Sequence, residues 1–119
     1  MHKRVLLILT ICYTLVIAVL SLVNIKSLPK LGSSFDDKIF HALAYGILVL
    51  LWYFTLNRLK ITKPIFISAL FSIIYGIILE VLQGLLTIAR SLDILDVLAN
   101  CIGVTIASVF IVYMKQKNR

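Results

Sequence analysis

Polar side chains recur at helical spacing near the end of an otherwise apolar chain. The row consists of Asp93, Asp96, Asn100 and Gly103. Steps of three, four and three residues place all of them on one face of a helix. An ionisable side chain inside a bilayer segment costs about 2.5 to 3.5 kcal/mol on the gentler insertion scale. A row maintained at that cost predicts a functional site.

Two other segments carry polar side chains at the same spacing. Asp37, His41 and Tyr45 are successive i, i+4 neighbours, and they form one stripe on a helix. Glu80 and Gln83 share a face one turn apart. Imidazole and carboxylate groups are side chains that act as general acids and bases, or that hold a divalent metal. The three stripes therefore predict one shared polar pocket, if helices bring them together, and acid–base chemistry or metal binding are among its possible uses.

The composition defines the solvent in which those helices fold. Hydrophobic residues make up 61% of the 119 residues and charged residues only 14%. Soluble domains contain about 45 to 50% apolar and about 25% charged residues. The chain is long enough for one domain, covering residues 1–119, and the composition predicts an integral membrane protein in contact with lipids.

Four apolar runs predict the membrane-spanning helices. Their expected bounds are about 5–23, 38–57, 64–83 and 93–114. Each run is long enough, at about 1.5 Å per residue, to cross a hydrocarbon core of about 30 Å. Pro64 suits the first turn of the third helix, where its missing N–H would be unpaired anyway. The sequence thus predicts an all-α fold of four transmembrane helices joined by short loops.

The distribution of basic residues predicts the orientation. Eight of the twelve basic residues, and none of the five acidic ones, fall in the N-terminus, the second connection and the C-terminal tail. These eight are Lys3, Arg4, Arg58, Lys60, Lys63, Lys115, Lys117 and Arg119. Basic loops remain in the cytoplasm, so we expect both termini on the inner side of the cell membrane. The formal charge of +7 is therefore a topology signal, and it does not indicate nucleic-acid binding.

This orientation puts the three polar stripes in the outer half of the membrane. Helices of matched depth would bring them into one pocket that opens to the outer surface, with Lys38 and Arg90 at its rim. We expect His41 to lie within about 8 Å of a carboxylate of Glu80 or Asp96. The candidate site consists of Asp37, Lys38, His41, Tyr45, Glu80, Gln83, Arg90, Asp93, Asp96 and Asn100.

Several of these residues also have a purely structural interpretation. Asp37 suits the start of a helix as a cap. Tyr45 and Gln83, like Asn100, are typical partners in hydrogen bonds between membrane helices. Carboxylates are harder to explain in this way, since a Ser or Thr would make a helix contact at a smaller desolvation cost. Glu80 and Asp96 are therefore the strongest functional candidates.

The ordered polar residues resemble the signature of the VanZ-like membrane proteins. The resemblance rests on Asp37-Lys38-x-x-His41-x-x-Ala44-Tyr45, on Glu80-x-x-Gln83, and on Arg90-Ser91-x-Asp93-x-x-Asp96-x-x-Ala99-Asn100-x-x-Gly103. It extends from the second helix to the end of the chain. That family often has a Pro-Gly pair where this chain has Ile88 and Ala89, and a glycine where it has Ala107. These departures concern the shape of a loop and the closeness of helix packing.

The resemblance implies a role in the cell envelope. The namesake of the family is an accessory factor in low-level resistance to the glycopeptide teicoplanin, which acts on peptidoglycan precursors outside the cytoplasm. The resemblance therefore implies a phenotype, antibiotic resistance, and leaves the mechanism open.

Three classes of function fit these residues. The first is a binder that receives a lipid-linked wall precursor or a lipoglycopeptide in the outward-facing pocket. The second is an intramembrane enzyme in which His41 and the carboxylates act as acid and base or as metal ligands. The third is a small transporter, which is the weakest because the inner half of every span reads as plain hydrocarbon. No cofactor motif is evident, and a divalent metal is the cofactor that these ligand types fit.

Overall fold

The protein folds into four α-helices. The computed structural model describes residues 3–22, 36–86 and 94–117. The helices are α1 (Lys3–Leu22), α2 (Asp36–Arg58), α3 (Pro64–Leu86) and α4 (Ile94–Lys117), and the described ranges contain no strand. Each helix includes a stretch long and apolar enough to cross a membrane. The predicted all-α fold with four spans is confirmed, and the chain is a multi-pass membrane protein.

The helix bounds differ from the predicted spans by a few residues at most ends. The described part of α1 runs over 3–22, whereas 5–23 was expected, and α2 runs over 36–58 in place of 38–57. α3 begins at Pro64 as predicted and continues to Leu86, three residues beyond the predicted end. α4 is described from Ile94 to Lys117. The predicted bounds followed the apolar runs, but a helix continues into polar residues wherever its backbone hydrogen bonds continue.

The connection between α2 and α3 is closed by backbone hydrogen bonds. Ile61 N–H donates to the Leu56 carbonyl and Lys60 N–H to the Asn57 carbonyl, each at 3.1 Å. Lys60 has a φ of 59°, so this pair of bonds forms a Schellman motif with a lysine at the left-handed position. The short turn makes α2 and α3 antiparallel neighbours. It therefore brings the beginning of α2 and the end of α3 to the same end of the bundle.

α2 lies at the centre of the bundle and packs against the other three helices. Its most extensive interface is with α4, while α1 lies against α2 and α3 and does not reach α4 within the described ranges. Gly103 of α4 lies so close to α2 that a Cβ at this position would overlap the backbone carbonyl of Ala42. The absence of a side chain at Gly103 thus sets the close approach of the two helices.

The bundle has apolar side chains on its outside, and both apolar and polar ones inside. Large apolar side chains on every helix point outward, among them Leu15, Leu43, Phe66 and Ile106. Buried positions include four strongly polar side chains, namely Glu80, Gln83, Asp96 and Asn100. An outer surface of this kind suits lipid. The interior is therefore where polar chemistry can be kept out of contact with hydrocarbon.

Candidate functional site

The three middle helices bring one imidazole and two carboxylates together. His41 of α2, Glu80 of α3 and Asp96 of α4 each offer one ligand atom, and these atoms all lie within 4.8 Å of one another. His41 Nε2 is 3.8 Å from Asp96 Oδ2. Glu80 and Asp96 are each only 3% exposed, and His41 is half-buried. We call these three residues the polar cluster.

The convergence follows from the topology of the bundle. His41 lies near the beginning of α2, Glu80 near the end of α3 and Asp96 in the first turn of α4. Antiparallel α2 and α3 bring the first two to the same end of the bundle, and packing of α4 on α2 adds the third. The expected distance of about 8 Å or less between His41 and a carboxylate is confirmed, since the observed value is 3.8 Å.

A second polar layer lies one helical turn from the polar cluster. Tyr45 follows His41 by four residues, Asn100 follows Asp96 by four, and Gly76 precedes Glu80 by four. A Cβ on Gly76 would lie 2.9 Å from Asn100 Nδ2 and 3.0 Å from the Tyr45 ring. The missing side chain at Gly76 therefore makes room for the other two. Tyr45 and Asn100 are each 3% exposed, so this layer is closed to solvent.

Asn100 has one hydrogen-bonding atom unused in this layer. Its Oδ1 is buried and has no hydrogen-bond partner among the residues that the structure describes. A buried amide oxygen without a partner costs about 1 to 3 kcal/mol. An unsatisfied acceptor one helical turn from Asp96 is compatible with a ligand or a water that donates a hydrogen bond.

Gln83 points toward α1. Its Nε2 donates to the backbone carbonyl of Ser21, in the last described turn of α1. Gln83 thereby ties the end of α1 to α3. This contact corresponds to the structural interpretation of Gln83 as a helix-to-helix partner.

Four candidate residues of the sequence lie where no side chain is described. Arg90 and Asp93 fall outside the described residues. Asp37 and Lys38 belong to the first turn of α2, but their side chains are outside the description. The expected rim of the pocket therefore stays a prediction.

The structure adds buried hydroxyls that the sequence pattern did not reveal. Thr10, Thr14, Thr55, Ser68 and Ser72 are buried between the first three helices, and we call them the buried hydroxyl set. Most lie in the half of the bundle near the α2–α3 connection, which the sequence described as plain hydrocarbon. That description was wrong, because hydroxyls bonded within a membrane helix hardly change its hydropathy. Their i, i+4 spacing on α1 and α3 was the available signal.

Hydroxyl groups of threonine and tyrosine side chains connect α1 to α2 and α3 by hydrogen bonds. Thr10 Oγ1 lies 2.7 Å from Thr55 Oγ1. Tyr13 donates to the Ala44 carbonyl at 2.8 Å, and Tyr75 donates to the Thr14 carbonyl at 2.6 Å. α1 is thus held by hydrogen bonds, while the polar cluster lies among α2, α3 and α4.

The polar cluster supports two kinds of chemistry. A carboxylate beside an imidazole orients the ring, which is the arrangement of a general base with its positioning group. The same three side chains also offer one nitrogen and two oxygen ligands to a divalent metal. Both uses require the carboxylates that a structural contact would not need.

Comparisons with protein-family models, with curated proteins and with solved structures find no match to this chain. The resemblance to the VanZ-like proteins therefore rests on the motif residues alone.

Proposed function

We propose that this chain is a VanZ-like protein of the cell membrane that binds the polar headgroup of an amphiphilic envelope component. The headgroup would lie at the polar cluster and the hydrocarbon chain along the apolar outside of the bundle. A lipid-linked wall precursor and a lipoglycopeptide both have this amphiphilic form. Such binding would account for the low-level teicoplanin resistance that the resemblance to the VanZ-like proteins implies.

The observation that carries the proposal is the convergence of His41, Glu80 and Asp96. Three polar side chains from three helices meet within 4.8 Å in a bundle whose outside is apolar. Two carboxylates and the unpartnered amide oxygen of Asn100 are hydrogen-bond acceptors. A headgroup rich in hydroxyl, amide or ammonium donors fits such a set, whereas an anionic headgroup needs a bridging cation.

The orientation is part of the proposal. The basic residues at the ends of α2 and α4 favour a cytoplasmic location for both termini, which turns the polar cluster outward. A C-terminal fusion to green fluorescent protein should fluoresce in a bacterial host, and a C-terminal alkaline phosphatase should be inactive. An active phosphatase with a dark fluorescent fusion would reverse the orientation and exclude an outward-facing site.

Binding can be tested on the purified protein. The wild-type chain and Asp96→Asn would be extracted in mild detergent, and the lipids bound per chain would be measured by mass spectrometry. Losing a charge-assisted hydrogen bond worth about 1.5 to 3 kcal/mol should reduce the bound component by about tenfold or more. Thr105→Val is a matched control, because Thr105 is exposed and bonds only its own helix at the Cys101 carbonyl. Identical lipids in all three preparations would contradict the proposal.

A second candidate function is favoured by the distance between His41 and Asp96. The separation of 3.8 Å is longer than a hydrogen bond, and a small side-chain rotation would let the carboxylate orient the imidazole as a general base, with Glu80 as a second acid–base group. The protein would then be an intramembrane enzyme that modifies a lipid-linked precursor. Incubating the purified wild-type protein with its co-purified lipid would then yield a product of altered mass that His41→Ala does not form. An unchanged lipid would favour the binder.

A further inference from the structure

We propose that His41, Glu80 and Asp96 form a binding site for a divalent transition-metal ion. The proposal goes beyond headgroup binding, since it concerns the ion alone. The three residues come from three different helices, so the site exists only in the folded bundle. A metal would therefore also connect α2, α3 and α4.

The distances are close to those of a bound ion. Nitrogen and oxygen ligands lie about 2.0 to 2.2 Å from Zn²⁺, which places tetrahedral ligand atoms about 3.3 to 3.6 Å apart. In the protein, the ligand atoms are within 4.8 Å of one another, and His41 Nε2 and Asp96 Oδ2 are 3.8 Å apart. Binding an ion would require the three ligand atoms to approach one another by this difference.

The ligand types select the ion. Mg²⁺ and Ca²⁺ prefer oxygen ligands only, and Mg²⁺ retains several waters. An imidazole nitrogen with two carboxylates suits Mn²⁺, Fe²⁺, Co²⁺ or Zn²⁺. Two carboxylates and a neutral imidazole balance the charge of a divalent ion, which matters in an interior where Glu80 and Asp96 are 3% exposed. The site should therefore prefer transition metals to Mg²⁺ and Ca²⁺.

The second polar layer provides an independent observation. Asn100 lies one turn from Asp96 on the same face of α4, and its buried Oδ1 has no hydrogen-bond partner within the described part of the chain. Three protein ligands leave at least one coordination position open, and water fills that position in sites of this type. A metal-bound water is a donor of the kind that this oxygen lacks. Asn100 would thus act as a positioning residue for the water.

The bound ion would also explain how an acidic site accepts a phosphate-linked headgroup. Two carboxylates repel phosphate, but a metal held by them attracts it at its open position. This consequence depends on the proposed envelope function. The metal site itself does not.

The test uses the full-length protein in detergent and the metal alone. After the protein is stripped with a chelator, Co²⁺ and Zn²⁺ would be titrated, with Co²⁺ absorption and metal analysis as readouts. We expect about one ion per chain, and an affinity reduced by about 100-fold or more in His41→Gln, Glu80→Gln and Asp96→Asn. Asn100→Ala should weaken binding by only about tenfold, while Thr105→Val should bind as the wild type does.

Two results would overturn the metal site. One is a stripped wild-type chain that binds neither ion. The other is binding that the three ligand variants retain in full while their helix content and elution from size-exclusion chromatography remain those of the wild type. The headgroup proposal is tested separately, by comparing lipid content before and after stripping. Lipid retained without metal would leave headgroup binding intact, and metal binding without lipid would leave the metal site intact.

Discussion

The polar cluster and the buried hydroxyl set both lie inside the bundle, but they differ in which groups can be their hydrogen-bond partners. Thr10 donates to the Leu6 carbonyl and Thr14 to the Thr10 carbonyl, both at 2.8 Å, so these two hydroxyls are satisfied by their own helix. Ser72 Oγ is the exception in the set, with no hydrogen-bond partner among the described residues. A carboxylate has no proton to donate, and the backbone N–H groups of a helix interior are already used. Glu80, in the interior of α3, therefore depends on groups from outside its own helix, whereas Asp96 lies in the first turn of α4, where a helix leaves its backbone N–H groups without intrahelical partners.

Under the proposed function, this difference distinguishes residues that stabilise the bundle from residues that bind a ligand. A hydroxyl costs little inside a membrane helix, and it gains a modest bond to a neighbouring helix. A carboxylate costs more and adds no packing that a smaller side chain could not supply. Residues of the buried hydroxyl set should therefore affect stability, and residues of the polar cluster should affect function. The predictions below test that separation.

The largest effect is expected where α2 and α4 touch. Gly103→Ala places a methyl group on the backbone carbonyl of Ala42, which cannot move without moving α2. Overpacking of this kind costs about 1 to 3 kcal/mol or more, so we expect little protein in the membrane fraction and a lower unfolding temperature in detergent. Gly46→Ala is the matched control, since its Cβ would lie 3.4 Å from the nearest atom, the Gly103 carbonyl oxygen. Normal accumulation of Gly103→Ala would contradict the observed helix contact.

A smaller and more selective effect is expected in the second polar layer. Gly76→Ala puts a methyl group 2.9 Å from Asn100 Nδ2 and 3.0 Å from the Tyr45 ring. Both neighbours are side chains that can shift by a few tenths of an ångström. The protein should therefore accumulate normally and lose several-fold in bound lipid or in metal affinity, measured as described above. If Gly76→Ala binds lipid and metal as the wild type does, the second polar layer does not contribute to binding at the polar cluster.

Thr10→Val tests whether the buried hydroxyl set affects stability without affecting ligand binding. Thr10 Oγ1 lies 2.8 Å from the Leu6 carbonyl oxygen and 2.7 Å from Thr55 Oγ1, and either hydroxyl can be the donor between the two threonines. Without Thr10 Oγ1, Thr55 can turn to the carbonyl of Leu51 in its own helix, four residues earlier. We expect a loss of about 0.5 to 1.5 kcal/mol in stability, measured by unfolding in detergent, and no change in ligand binding. A functional defect at full abundance would show that hydroxyls also serve the site.

The smallest effect is expected from Ala107→Gly. Ala107 is buried against α2, and its Cβ would lie 4.0 Å from a Cβ at Gly46. Removing the methyl group costs helix propensity of about 1 kcal/mol and restores the glycine that the resembled family often has. Teicoplanin susceptibility and bound lipid should be unchanged. A large loss of either would mean that packing at this position controls the site.

Much of the fold could be predicted from the sequence. The apolar runs and Pro64 gave four spans in order, and the i, i+4 spacing around His41 and Asp96 put the right faces inward. Alternating helix direction then placed both residues at the end of the bundle where Glu80 lies. Helical periodicity and chain length carry this information, so no knowledge of side-chain packing was needed.

Other contacts had no signature in the sequence. Gln83 was expected to bond a neighbouring helix, but neither its acceptor nor that of Tyr13 could be predicted, because both acceptors are backbone carbonyls and every residue has one. The glycine at 103 indicates a close approach of two helices, but the sequence does not show that its partner is the backbone of Ala42. Lys60 occupies a left-handed position that usually selects glycine. These features depend on which helices become neighbours, and that is settled only by the assembled bundle.

We propose that the polar cluster is needed for the function of the protein and not for its stability. The most direct test measures teicoplanin susceptibility and membrane abundance together, for the wild type, Asp96→Asn and His41→Ala, in a strain where the wild-type gene has an effect. We expect both variants to accumulate normally and to lose the phenotype, since Asp96→Asn retains the shape and His41→Ala removes little apolar area. Full resistance at normal abundance would contradict the proposal, and the polar cluster would then be a structural contact between helices.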